Sequence, residues 1–283
     1  MSVLQLRDHP SPHRKRILRW MFRNYPDLLR FYLFGGRLSR VPIVGPLLAH
    51  PLLSNYGYFA HGGMALPLAE MNEIIDQAQD IVVAECPCRA LENNCDLPRT
   101  NCLKLNTAAK VLLEELREQG RRVSREEAKA IIAESYARGM MLQLEWCINP
   151  FHYDICSCCK CCCVARRLRF EFDVEGALQA GPYLPEISHE LCTECLECSK
   201  VCPADAITAL PKPSISEEKC VGCGLCQSVC PTSAIQMKPE RVCMGRKTPS
   251  SFSLFIWWLA AIFLLVPEVM LFNLVFKRIP SKS

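Results

Sequence analysis

The sequence has no phosphate-binding loop, no dinucleotide glycine fingerprint and no hydrolytic triad, so neither a bound flavin or nicotinamide nor hydrolytic chemistry is expected of it. Charge of one sign is scarce: 33 Lys and Arg against 29 Asp and Glu leave a net charge of +4, and nucleic acid is not an expected partner. The first 40 residues hold neither a clean apolar h-region nor a small-residue cleavage site, and no h-region follows Arg14-Lys15-Arg16, so export is not expected. Polar, low-complexity character is missing too, since 50% of the residues are apolar, which excludes disorder. What is abundant is cysteine, 20 in 283 residues. A chain of this length builds real cores and needs no disulfide scaffold, so thiolate metal chemistry in a reducing, cytoplasmic compartment is the expected use.

The two ends carry the membrane expectations. Residues 1–40 hold nine Lys/Arg against two acids, leaving 24 against 27 in the rest of the chain. Leu18, Met21, Phe22, Tyr25, Leu29 and Tyr32 recur at three- and four-residue steps among Arg16, Arg19, Arg23 and Arg30, which predicts a basic amphipathic helix restarted at Pro26 within residues 1–48. Such a helix lies either on anionic lipid or against a core. Phe252 to Phe276 is interrupted only by Ser253, Pro267, Glu268 and Asn273, and predicts a transmembrane helix over 251–277, with a re-entrant hairpin at Pro267 as the alternative. Glu268 is then protonated, near the interface, or in contact with a partner subunit of a membrane complex. Basic residues flank both ends, so orientation rests on placing the metal-bearing domains in the cytoplasm.

The middle reads as a cysteine-rich α/β domain over 49–183. Helices are expected over Leu66–Gln79, Thr107–Glu118 and Arg125–Ala137, the last with a Ser124/Glu127 capping box and a stop at Gly139. Strands are expected at Ile81–Ala84 and Met140–Trp146, delivering Cys86 and Cys147 at their ends. With the C-terminal span, the expected class is α+β.

Two runs then repeat. Cys192, Cys195, Cys198, Cys202-Pro203 and Cys220, Cys223, Cys226, Cys230-Pro231 both read CxxCxxCxxxCP, and Val201/Val229 and Ile207/Ile235 keep the same 28-residue offset. Three thiolates at this spacing wrap a loop around three irons of a cubane, and the fourth, held before a proline, crosses to the other cluster. Zinc ribbons use paired CxxC units instead. Residues 184–240 closely resemble the bacterial-type two-[4Fe-4S] ferredoxin, and the expected domain spans 184–243. The resemblance implies a pseudo-twofold fold with cluster I on Cys192, Cys195, Cys198 and Cys230, and cluster II on Cys220, Cys223, Cys226 and Cys202. Glu194 and Glu197 have no acidic counterparts in the second run, which lowers the potential of cluster I unless both face solvent.

Upstream, Cys86, Cys88, Cys95 and Cys102 form a CxCx6Cx6C set suited to a third cluster or a tetrahedral zinc. Cys156, Cys158, Cys159, Cys161, Cys162 and Cys163 put six thiols in eight residues, more than one four-ligand site needs, and adjacent side chains cannot all face one metal. A subset forms a fourth site, shares one with the Cys86 set, or leaves a reactive pair. His50, His61, His152 and His189 are candidate extra ligands, and Cys147 and Cys243 stand alone. Over about 64–240 the pattern resembles ferredoxin-containing proteins with a cysteine-rich N-terminal region, which implies iron-sulfur binding and electron transfer. The Cys-Cys-Gly signature of heterodisulfide reductases is absent. The expected function is that of a membrane-tethered, polyferredoxin-type subunit serving redox partner proteins rather than a self-contained oxidoreductase. The alternative is a reductase using the Cys86–Cys163 region as a substrate or disulfide site.

Overall fold

The computed structural model describes residues 4–43, 45–116, 119–209 and 212–239, all within a compact unit that runs to Cys243. Helices α1 (Pro12–Arg23) and α2 (Tyr25–Ser39) open the chain. Ser11 caps α1 by accepting the Arg14 N–H, and Pro26 sits in the first turn of α2, where its missing N–H leaves no helical bond unmade. The stripe from Leu18 to Tyr32 is buried. Arg19 and Arg23 meanwhile pair with Glu115, and Arg19 also with Glu114. The amphipathic helix thus faces the protein's own core, and its apolar side is not offered to lipid.

The central elements are α3 (His50–Phe59), β1 (His61–Ala65), α4 (Leu68–Gln77), β2 (Ile81–Glu85), α5 (Pro87–Glu92), β3 (Thr100–Leu105), α6 (Asn106–Glu115), β4 (Gly120–Arg122), α7 (Arg125–Ala137), β5 (Met141–Cys147), β6 (His152–Cys158), α8 (Val164–Glu171) and β7 (Leu178–Gln179). Seven strands form one mixed sheet in the order β4-β2-β3-β6-β5-β1-β7, antiparallel throughout except for the β1/β7 pair. Along β2, Ile81 and Val83 join a core built with α4 and α7, while Val82 and Ala84 join one built with α1, α2, α6 and α8. Helices therefore cover both faces, and β5 is buried at all seven positions rather than alternating. The Ser124 side chain caps α7 at the Glu127 N–H, and Gly139, at φ +76°, supplies the left-handed turn before β5.

Antiparallel pairing sorts the cysteines. The C-terminal ends of β2 and β6 and the N-terminal end of β3 share one sheet edge, whereas β5 runs the other way and carries Cys147 to the opposite edge. Cys86 and Cys147, expected at the ends of β2 and β5, therefore lie at opposite edges, and β3 and β6 bring the two cysteine groups together. Cys147 is buried there, its thiol pushed up to about 11 by burial.

The remaining elements are β8 (Leu184–Ile187), α9 (Glu197–Val201), β9 (Ile207–Thr208), β10 (Ser214–Ile215), α10 (Leu225–Ser228) and β11 (Ile235–Lys238). They form two antiparallel ribbons, with Ile207 opposite Ile215 and Ile235 opposite Ile187. The 28-residue repeat recurs in the backbone: φ is positive at Glu194, Leu196 and Asp205, and again at Gly222, Gly224 and Ser233.

Among the described residues no helix is long and apolar enough to cross a membrane. The expected fold class is therefore corrected for the described residues, an α+β unit with a mixed sheet and no membrane-crossing helix, and the membrane-anchored location finds no support in them. The stretch 251–277, including Glu268, lies outside the described residues, as does Cys243. Ile155 in central β6 is fully buried, so Ile155→Ala is expected to cost about 2–5 kcal/mol. Anaerobic urea unfolding checks this as a lower midpoint with an unchanged slope.

Candidate functional site

The repeat builds two small cavities. Cys192, Cys195, Cys198 and Cys230 line one, walled by Ile187, Leu196 and Ile235. Cys202, Cys220, Cys223 and Cys226 line the other, walled by Ile207, Ile215 and Val221. Each four-cysteine set thus takes three members from one run and the fourth from the other. Backbone N–H groups point at the sulfurs in matched pairs: Ala206 N lies 3.3 Å from Cys202 Sγ, and Ala234 N lies 3.3 Å from Cys230 Sγ. Donors aimed at sulfur stabilise thiolates and tune a bound cluster. Glu194 and Glu197 are exposed, and Glu197 pairs with Lys200, so solvent and a cation blunt any charge difference between the cavities.

Upstream, the structure divides both predicted sets over three places. Cys95, Cys159, Cys161 and Cys162 have all four sulfurs within 4.8 Å of one another. Cys102 and Cys156 gather around Asp154, with Cys102 Sγ 3.1 Å and Cys156 Sγ 3.6 Å from Asp154 Oδ2. The Lys104 ammonium pairs with Asp154 in the same buried pocket and sits over the rings of Phe22, Tyr25 and Tyr153. Burial opposes its charge, but Asp154 and then Cys102 more than reverse this and raise its pKa. Lys104 therefore supplies the positive charge that a metal would otherwise bring.

Cys86, Cys88, Cys158 and Cys163 line a cleft of about 60 Å³, together with Tyr25, Tyr32, Tyr56, His61, Glu145 and Arg89. Cys158 and Cys163 Sγ are 3.1 Å apart, and Gln143 Nε2 donates to Cys158. Cys163 is the N-cap of α8 and accepts the Arg166 N–H at 3.5 Å. Hydrogen bonding from Cys158, then from Cys88, and the Arg166 N–H hold Cys163 well below the usual thiol range. Burial drives Cys158 the opposite way, so Cys163 is the more acidic thiol of the pair. Cys86 is brought down to about 7 by a hydrogen bond from Cys88, with Arg89 adding its charge.

A hydrogen-bonded chain enters the same cleft. Tyr32 OH lies 3.0 Å from His61 Nδ1, His61 Nε2 lies 2.6 Å from Tyr153 OH, and Tyr153 OH donates to Glu145 at 2.9 Å. Burial, reinforced by Asp154, raises Glu145 to about 8, and burial with the Lys104 charge lowers His61 to about 4. Glu145 is thus a protonated acid and His61 a neutral base at pH 7. Sequence reasoning missed this chain, although Lys104, Gln143, Glu145 and Asp154 stand out as polar residues inside otherwise apolar strands. His152 Nδ1 accepts the Arg7 N–H, and His50 bonds the Asp173 carbonyl, so neither joins the thiols. His189 is exposed.

Residues 187–241 match the family model described as the LdpA Fe-S cluster-binding domain. No curated protein matches the chain. The match and the two four-cysteine cavities make this segment an iron-sulfur cluster-binding domain, and they support electron transfer as its general function.

A raised carboxyl contributes stability that is complete below its ordinary value of 4.5 and is lost as pH rises to about 8. His61, lowered from 6.5, loses its contribution only as pH falls from 6.5 toward about 4, and Cys86, brought down to about 7, titrates alike in wild type and a Glu145 variant, so their difference over pH 6.5–8 reports Glu145. In that window the stability of wild type should fall by about 1 kcal/mol per pH unit more than that of Glu145→Gln. Parallel urea midpoints across the window would contradict the assignment.

Proposed function

We propose that the protein is an iron-sulfur electron-transfer protein of the two-[4Fe-4S] ferredoxin type, in which residues 184–240 pass electrons from a redox partner protein to the cysteine-lined cleft of the preceding domain. The pair of four-cysteine cavities carries the reading. Cys192, Cys195, Cys198 and Cys230 would hold one cluster, and Cys220, Cys223, Cys226 and Cys202 the other. When bound, such clusters supply reversible one-electron capacity. The chain's own residues give the path a direction. Cys195 is exposed and offers the first cavity to a partner, whereas Cys223 and Cys226 are buried. Cys223 packs in the same hydrophobic core as Cys158 and Cys163. Tyr136 OH donates to the Cys223 carbonyl at 3.1 Å, and Arg166, on the helix that Cys163 caps, reaches the Pro203 carbonyl.

The 3.1 Å Cys158–Cys163 contact favours a second reading, in which the cleft is a reductase site. A Cys158–Cys163 disulfide takes up two electrons and two protons and opens to two thiols, with Glu145 holding a proton in the same cleft. The thiol pair then reduces a substrate disulfide by exchange, Cys163 attacking as thiolate.

Anaerobically purified protein is expected to hold about eight irons and eight labile sulfides, and Cys230→Ser about four of each with one reduced-cluster paramagnetic resonance signal lost. Iron near zero, or unchanged in that variant, would contradict the cluster assignment. For the second reading, Cys158→Ser should slow turnover of a small-molecule disulfide at least tenfold with both cluster signals intact; equal turnover would count against it.

A further inference from the structure

We propose that Cys95, Cys159, Cys161 and Cys162 form a tetrahedral zinc site that clips the loop following α5 to the turn between β6 and α8. The four sulfurs lie within 4.8 Å of one another. Cys95 and Cys162 Sγ are 3.8 Å apart, and Cys161 and Cys162 Sγ 3.7 Å. A zinc-thiolate bond of about 2.3 Å implies a tetrahedral edge of about 3.8 Å, so the thiols stand where one small ion would draw them. Thiolates on a cubane each bond a different iron and stand further apart. Among the described residues, no group as tight as this one includes a cysteine of the 28-residue repeat.

The surroundings fit a closed structural site. Cys159 and Cys162 are buried, and Met140 and Leu97 pack over the group. Asn94 Nδ2 donates to the Cys161 carbonyl at 3.3 Å, tying the two segments together beside the sulfurs. Four thiolates around Zn²⁺ leave two negative charges, and the protein places a buried cation there. Arg89 is 1% exposed, donates to the Ser157 carbonyl at 3.0 Å and to Met140 Sδ at 3.3 Å, and lies beside Cys159. Its other hydrogen-bond partners, a carbonyl, an amide and a thioether, are neutral, so its opposing charge comes from thiols, Cys86 first and then Cys159.

This assignment accounts for the crowding in the second cysteine run. The sulfurs of Cys159, Cys161 and Cys162 gather with Cys95; Cys158 and Cys163 pair in the cleft; and Cys156 meets Asp154, with Cys156 and Cys159 also bordering the cleft. Of the adjacent pairs, Cys158/Cys159 and Cys162/Cys163 divide between groups, and Cys161/Cys162 stay together. The four sulfurs include no cysteine of the two cluster cavities and neither Cys158 nor Cys163.

The test uses the full-length chain expressed with zinc and iron both replete and purified without oxygen. About one zinc per chain is expected, and zinc-edge X-ray absorption should show four sulfurs at about 2.3 Å. Cys95→Ser and Cys162→Ser should each lower zinc occupancy at least tenfold while iron content and reduced-cluster signals stay as in wild type. The proposal is overturned if wild type holds less than about a tenth of a zinc, if the site holds iron, or if the zinc shell contains nitrogen or oxygen in place of sulfur. Undiminished zinc in the variants overturns it as well. Should either variant fail to fold, the wild-type absorption edge still decides.

Discussion

The pairing of β6 between β3 and β5 organises the cysteine chemistry of the N-terminal region. Because these strands are antiparallel, the end of β2, the start of β3 and the end of β6 meet at one edge, and every upstream thiol except Cys147 sits on or beyond those three ends. The same sheet is covered on both faces, so the charged groups carried along β3, β5 and β6 are buried and need partners within the protein. Lys104 answers Asp154, Tyr153 answers Glu145, and Arg89 answers the thiolates near Cys159. A register slip of one residue in β6 would turn Asp154, Cys156 and Cys158 away from these partners together.

The iron-sulfur segment is organised by repetition. Left-handed residues recur 28 positions apart and bend each cysteine loop in the same way, with Gly222 and Gly224 occupying the strained positions of the second copy. The first copy holds Glu194 and Leu196 at those φ values at some steric cost, which the surrounding loop sustains. The two halves differ chiefly in burial. One cavity opens toward solvent at Cys195, and the other is packed into the larger core through Cys223. In the proposed relay that asymmetry would make one site the outer and the other the inner.

Much of this was legible before any coordinates. Helix α7 begins and ends where its capping box and Gly139 put it, and the cysteine repeat returns as two cavities of like lining. The upstream sets were legible as thiol-rich but not as sites, because linear spacing says nothing of which strands share an edge. Cys102 belongs with Cys156 and Asp154, and Cys95 with three cysteines some 64–67 positions away. Direction misled as well: Cys147 ends a strand, as expected, but on the far edge. The N-terminal stripe could not reveal its partner, since an amphipathic helix that meets lipid and one that meets a sheet carry the same periodicity.

The account joins a one-electron relay to a two-electron thiol site, and that junction is its central claim. Coulometric titration of the anaerobic protein, starting with the clusters and the cleft pair oxidised, measures it directly. Uptake of about four electrons per chain is predicted, about one for each of two clusters and two for the Cys158–Cys163 pair. Uptake of only about two, with the cleft pair still oxidised after the clusters are reduced, would contradict it.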